Sequence, residues 1–417
     1  MKLDEEDRRL LRGDYGDVAR EAMEYQVQVA EFYGAERMVP LAEASAGIDF
    51  AMNGDFGLET AEALADRGGR FRVFTKSSFL ATEMYRPEHF YSPGDLIEKQ
   101  QRYLQAHLRM GAVPTYSSLP CRTPQFGEQV SWQGSAIVAN SLFGARCNLD
   151  GTVGGLMNAL AGRVPLMGVR RKENRYGTVA VKVEADIEYS VDWSALGYAV
   201  GKKLPAPKEI PVFLDLPPFH GMGNRQTFEV SMVTLSTLEM YHVVGLTPEA
   251  RSIEEALPNG VSREITVTQA DMLGSYRDLS TPEGEIDLVA FGGHHIELDE
   301  FPRILAALEG KRVKDGVRLW IFTGPQYKAI IESIGWDKQI EAAGGEILYG
   351  VSLMFMSPRD LVEKHGLKRV VCDSAKMVKY VRGFGMESEL RTVERCIDAA
   401  VTGRNDGSPR GEGRREW

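Results

Sequence analysis

Cysteine is scarce: the 417-residue chain holds four, Cys121, Cys147, Cys372 and Cys396, far apart and without any CxxC spacing. So sparse a set in so long a chain argues against a disulfide framework. The spacing gives no support to a four-cysteine zinc site. Long apolar runs are missing too, and no segment approaches the length that spans a bilayer. The opening stretch, Met1-Lys2-Leu3-Asp4-Glu5-Glu6-Asp7-Arg8-Arg9, has no apolar core of the kind a secretory signal carries. Positive charge is in deficit, with 49 Lys and Arg against 59 Asp and Glu, a net charge of -10. A non-specific nucleic-acid binder would need a basic stripe for the phosphates. No internal repeat is visible. These absences lead to an expectation of a soluble, cytoplasmic protein with neither nucleic acid nor membrane as partner. What is present agrees: 43% hydrophobic and 26% charged residues, normal for a globular chain long enough for two or three domains.

The pattern is mixed α/β. Residues 15–33 read as an amphipathic helix stopped by Gly34, residues 58–67 as a short helix, and residues 94–110 as a helix closed by Gly111. Phe71-Arg72-Val73-Phe74 is β-like, and residues 178–185 and 210–214 read as strands. Ile286-Asp287-Leu288-Val289-Ala290-Phe291 is a buried-strand run ending in Gly292-Gly293. Leu319-Trp320-Ile321-Phe322-Thr323 and Val370-Val371-Cys372 are two more, each followed by a helix. Such strand-to-helix units favour parallel sheets with functional residues at the strands' carboxyl ends. Residues 404–417, Gly-rich and charged, read as a flexible tail.

Four constellations could carry chemistry. In Asn140-Ser141-Leu142-Phe143-Gly144-Ala145-Arg146-Cys147-Asn148, Arg146 offers a planar fork for a carboxylate or phosphate, and Asn140, Ser141 and Asn148 could orient hydroxyls. A glycine-rich loop tied by Asx turns is the plainer reading. In Cys372-Asp373-Ser374-Ala375-Lys376, a serine two residues from a lysine at a strand end could form a proton-transfer pair, or Asp373 or Ser374 could simply cap the next helix. In Gly292-Gly293-His294-His295-Ile296-Glu297-Leu298-Asp299, one histidine could serve as an acid or base. Both binding one metal with Asp299 or Glu297 would need a turn, because neighbours on an extended segment point to opposite sides. Finally, Thr247-Pro248-Glu249 resembles a helix start with Pro at the first position, where backbone amides could hold an anion.

Taken in order, these segments resemble the aconitase X family. The resemblance runs through Leu3-Asp4-Glu5-Glu6, Leu11-Arg12-Gly13-Asp14-Tyr15-Gly16, Tyr33-Gly34-Ala35-Glu36, Gly54-Asp55-Phe56-Gly57, Phe126-Gly127-Glu128 and Trp132. It continues through the Asn140 to Asn148 block, Gly245-Leu246-Thr247-Pro248-Glu249, Asp373-Ser374-Ala375-Lys376 and Ala399-Ala400-Val401-Thr402-Gly403. It covers roughly residues 3–403 and implies one catalytic region there, with the aconitase superfamily architecture of stacked α/β/α domains around a central cleft. It further implies a separate small swivelling-domain subunit as partner and dehydration of a small hydroxy acid such as cis-3-hydroxy-L-proline or mevalonate 5-phosphate. In the family an iron centre assists the leaving hydroxyl. By the same resemblance Ser374 is the candidate base, with Lys376 lowering its pKa or holding charge.

The departures fall on the cysteines. Where the family pattern places them, this chain has Ser118, Gly293 and, by a looser correspondence, Ser352. Thiolates are the usual ligands of iron–sulfur clusters, so no ordinary cluster is expected. The first expectation is a cluster-free hydro-lyase or isomerase. In it Ser374 abstracts a proton and Arg146 clamps a carboxylate, with Asn140, Ser141, Asn148 and Thr247 lining the substrate, and His295 or His294 protonates the departing hydroxyl. A mononuclear metal held by His294 or His295, and a non-catalytic subunit that keeps the fold, are the alternatives.

Overall fold

The computed structural model describes residues 1–117, 121–204, 209–407 and 410. Three parallel sheets organise it. The first has the order Val113–Pro114, Phe74–Ser77, Glu43–Ala46, Val130–Ser131. The second runs Arg263–Thr268, Val179–Glu184, Pro211–Asp215, His242–Val243. The third runs Glu346–Tyr349, Arg318–Thr323, Leu288–Ile296, Arg369–Cys372, Glu387–Leu390. Every pairing within these sheets is parallel, as the strand-to-helix units imply, and parallel sheets need helical cover on their faces. The central strand Leu288–Ile296 is buried along its whole length, which explains its unbroken apolar start.

Helix ends follow the local chemistry. Asp17–Tyr33 and Gly94–Met110 stop at Gly34 and Gly111, both in the left-handed region that glycine enters without a Cβ clash. An additional helix, Glu5–Arg12, is set by a reciprocal capping box between Asp4 and Asp7.

Several expectations shift. The helix read at 58–67 begins at Phe50, capped by Asp49 and broken at Gly54. The strand read at Phe71 starts at Phe74. The central strand does not end at Gly292-Gly293. It runs on to Ile296 through a bulge in which Gly292 and His295 both take positive φ, and the register to its neighbour shifts between Phe291 and Ile296. A Cβ on Gly292 would lie 2.4 Å from the carbonyl oxygen of Phe322, so only glycine fits there. Asn140 and Ser141 lie in a helix, Ala136–Phe143, rather than in a loop. Thr247 starts no helix: residues 244–249 form turns.

Part of the expected tail is anchored. Arg404–Asn405 pairs antiparallel with Gly284–Glu285, Asp406 meets Arg391 at 2.8 Å, and Arg410 reaches the buried Asp192 at 2.8 Å. Among the described residues no helix is long and apolar enough to cross a membrane.

Candidate active site

The carboxyl ends of the first and third sheets meet. The Leu80 N–H donates to the Gly350 carbonyl at 2.8 Å, and Leu80 forms a parallel bridge with Val351. Phe79 packs edge-on against the His295 ring, with centroids 4.6 Å apart. The second sheet's helices close the third side. Ser194 of Ser190–Lys203 accepts the Ala375 N–H at 2.8 Å, and Gln226 of Gly221–Met232 donates to Glu297 at 3.0 Å.

At this junction Ser374 caps the helix Ala375–Arg382. Its Oγ accepts the Met377 N–H at 3.3 Å, and it is 1% exposed. The helix N-terminus carries partial positive charge and favours a negative oxygen there. Capping and a chemical role are therefore compatible: the N–H that caps the helix start would also favour a negative oxygen there. Two residues on, Lys376 is partly exposed and makes no ion pair among the described residues. Desolvation pulls its amine down to about 8, and its charge is felt at His295. Asp373, by contrast, is pushed up to about 7, by burial first and then by Glu300, and its Oδ1 has no hydrogen-bond partner.

The two histidines do different jobs. His295 is fully buried at φ 72. Its Nε2 lies 2.9 Å from the Val351 carbonyl, which can only accept, so Nε2 carries the hydrogen. Nδ1 is left to accept the Ser117 hydroxyl at 3.0 Å. Burial holds its pKa down to about 3, so the ring is neutral near pH 7 and does not supply a proton. The geometry lends His295 no support as the acid: both nitrogens are occupied by protein, and they tie the first sheet's end to the third. His294 turns elsewhere. Its Nε2 lies 3.4 Å from Glu300 and its Nδ1 3.5 Å from Thr227. Burial opposes its charge, but Glu300 raises its pKa.

The histidine pair therefore does not converge on one ion. Asp299, the other expected ligand, accepts the Met222 N–H at 3.1 Å. Among the described residues no group of three or more His, Cys, Asp or Glu side chains is placed to hold a metal.

Of the three positions where family cysteines were expected, the two described ones do not offer sulfur sites. Ser118 lies outside the described residues. Ser352 is fully buried with an unpartnered hydroxyl. At Gly293 a Cβ would lie 2.3 Å from Ser374 Oγ and 2.7 Å from its Cβ, so the serine fills the space that a cysteine side chain would need. Burial raises the pKa of Cys147 to about 12 and also raises those of Cys372 and Cys396, and none of the four cysteines stands at one of these positions. The described donors at these positions do not fit an iron–sulfur cluster.

The Asn140 to Asn148 block is built differently. Asn140 donates to the carbonyls of Cys147 and Glu239 at 2.7 and 2.9 Å, and its oxygen accepts from Cys147 N and Arg175 Nη1, each at 2.9 Å. Nothing is left for a ligand. Ser141 Oγ accepts the Tyr241 N–H at 2.8 Å. Thr247 Oγ1 accepts the Val243 N–H at 3.0 Å and donates back to its carbonyl at 3.2 Å. Arg146 lies 3.1 Å from Glu249 and over the Phe126 ring. Asn148 alone keeps an unpartnered oxygen. This block backs an open concavity of about 470 Å³ lined by Phe126, Gly245, Leu246, Thr247, Pro248 and Arg251. It shares no hydrogen bond or ion pair with the Ser374 centre among the described residues.

Sequence reasoning missed Ser117, the His295 partner, and Lys76, a buried lysine in the strand Phe74–Ser77. A lysine inside a short β-like run was the one signal available for the latter.

Comparison with known proteins gives a consistent answer. Models of the aconitase X first, second and third domains match residues 1–173, 177–277 and 286–402. The phosphomevalonate dehydratase large subunit of Methanothermobacter thermautotrophicus is 32% identical over 391 residues, covering 92% of this chain and 94% of that protein. The cis-3-hydroxy-L-proline dehydratase of Pseudomonas aeruginosa is 32% identical over 423 residues, covering 97% of this chain and 70% of that protein. The crystal structure of Thermococcus kodakaraensis aconitase X in its holo form superposes with a TM-score of 0.86 at 29% identity, covering 96% of this chain and all of that one.

Proposed function

Because the chain belongs to the aconitase X family, whose relatives described above are dehydratases, we propose that it is a hydro-lyase that dehydrates a small hydroxy carboxylate without a thiolate-bound cluster. The observation that carries this reading is the Ser374–Lys376 pair. It combines a buried serine at a helix N-terminus with a lysine, free of any ion pair among the described residues, whose pKa is drawn to about 8.

Ser374 as alkoxide removes the proton from the carbon beside the carboxylate. The C–O bond on the neighbouring carbon then breaks, and the departing hydroxide takes a proton from the Lys376 ammonium. Alkene and water result, and the Ser374 proton passes to the Lys376 amine to restore the starting state. A base and an acid of this kind each contribute about 10²–10⁴-fold. Asp373, a carboxyl held neutral up to about pH 7 beside the pair, adds no competing negative charge at acidic to neutral pH.

No thiol stands at the described positions where the family's cysteines were expected, which supports a route written without iron. Among the described residues no donors converge with the His294-His295 pair on a lone metal ion. The substrate class comes from the relatives, cis-3-hydroxy-L-proline or mevalonate 5-phosphate. A small swivelling-domain partner is supported by the relatives named as large subunits. The test is turnover of both compounds by the chain with its small partner, compared with Ser374→Ala and Lys376→Met. Loss in both variants is expected; full activity in either removes that residue's role.

A further inference from the structure

Outside the Ser374 centre, one buried amine lacks a hydrogen-bond acceptor among the described residues. Lys76 is 2% exposed, and its Nζ has no hydrogen-bond acceptor. It sits 4.3 Å from the centre of the Trp132 ring, a favourable place for an ammonium but one that leaves its three N–H groups unsatisfied. The neighbouring carboxylate is Glu43, which is fully buried and already committed. Its Oε1 accepts Trp132 Nε1 at 2.8 Å, and its Oε2 accepts Arg122 Nε at 2.8 Å. Arg122 gives Nη1 to Glu128 at 2.9 Å, and its Nη2 is buried without an acceptor.

Two cationic donors thus border the same carboxylate, and each has an unanswered N–H. Buried charged donors are costly unless something completes them, and native proteins leave few such groups without a reason. We propose that Lys76 and Arg122 form an oxyanion subsite, taking the carboxylate or phosphate group of a small molecule, with Lys76 Nζ and Arg122 Nη2 as the donors and Trp132 as one wall.

The Arg122 side chain is partly exposed, its Nη2 is buried, and Lys76 lies deeper. Its place in the fold suits a substrate. The strand that carries Lys76 leads directly into Phe79, which packs on His295, and Ser77 at its end accepts the Tyr116 N–H at 3.2 Å, one residue before Ser117. The subsite therefore lies on the strand that leads into the junction with the Ser374 centre. Burial lowers the Lys76 pKa, and a bound anion would oppose that shift.

Assigning the oxyanion to the substrate rests on the dehydratase reading; the subsite itself does not. The test uses the full chain, titrated by calorimetry with inorganic phosphate and, separately, with acetate, and melted in the presence of each. At least one probe should bind saturably at one equivalent and raise the melting temperature. Lys76→Met and Arg122→Gln should each weaken that binding at least tenfold, and Lys76→Met should melt no lower than the parent in anion-free buffer, because an unanswered buried charge has gone. Phosphate preferred over acetate marks a phosphorylated substrate; the reverse marks a plain carboxylic acid. No saturable binding of either probe to the parent, or equal binding to parent and variants, overturns the subsite. Ser374→Ala separates the two claims: it should bind the anion like the parent while losing turnover. Ser374-dependent turnover with no anion binding sinks the subsite alone, whereas anion binding without turnover sinks the dehydratase reading alone.

Discussion

Asn140 and Ser374 sit in two polar segments of the same chain, each rich in groups that could touch a ligand, yet the fold treats them oppositely. Asn140 uses both amide hydrogens and both oxygen lone pairs on protein, and Ser141 and Thr247 are tied to backbone in the same way. The Ser374 segment leaves capacity unspent: Lys376 lacks a carboxylate partner among the described residues and Asp373 Oδ1 lacks any partner. Beside them, Ser352 is buried with its hydroxyl unanswered. Buried polar groups that are fully paired hold a structure together. Those left unpaired cost stability and persist where a ligand or a reaction uses them. By that criterion Asn140, Ser141 and Thr247 are scaffold, although their residue types suggested recognition. Arg146 Nη1 and Asn148 Oδ1 stay without a hydrogen-bond partner among the described residues, and the Ser374 segment is the proposed place of chemistry.

The contrast can be broken by substitution. Ser374→Ala should lower kcat by about 10³-fold or more, the scale of a lost base, while KM moves little; steady-state kinetics decides. Lys376→Met should cost about 10²-fold and change the pH profile. The parent needs the protonated amine, so its rate should fall as pH rises through about 8, and the variant should lose that limb. Asn140→Ala, on the scaffold side, should reduce stability by about 3 kcal/mol, since several buried partners lose their bond at once, and should leave KM of the folded fraction unchanged. Denaturant unfolding beside kinetics checks both halves, and a large KM effect at full stability would move Asn140 back to the substrate.

A smaller effect sharpens the role of His295. Its folded pKa is depressed to about 3 from an ordinary 6.5, so below pH 6.5 the unfolded chain binds more protons and stability falls as pH drops toward 3. His295→Asn should flatten that part of the stability–pH curve relative to the parent. The comparison with the variant matters because His107 is also held low, at about 4, by burial and contributes the same sign in both proteins.

Much of the scaffold was legible in the sequence for simple reasons. The helix Gly94–Met110 announces itself by periodic apolar residues and a terminal glycine, and Arg318–Thr323 and Arg369–Cys372 by short apolar runs in which parallel strands bury both faces. The Asp373-Ser374-Ala375-Lys376 segment was legible because it stands at a strand end before a helix. What escaped depends on contacts made at a distance along the chain. Whether Asn140 faces a ligand or Arg175 is set by residues 35 positions away. That His295 is neutral follows from its burial, and its tautomer from Val351 and Ser117, contributed by two distant segments. The central strand runs through Gly292-Gly293 because its neighbour's carbonyl excludes a side chain there, and local propensity reads such glycines as a stop. Lys76 escaped because a lysine in sequence reads as surface, and only the fold shows it enclosed.

The central claim is that oxygen and nitrogen groups, without thiolate-held iron, carry the dehydration. Quantifying iron and acid-labile sulfide in anaerobically purified protein, on the same sample whose turnover with its small partner is measured, tests it most directly. The account predicts full turnover with iron and sulfide far below one equivalent per chain. Activity that rises and falls in proportion to bound iron and sulfide would contradict it.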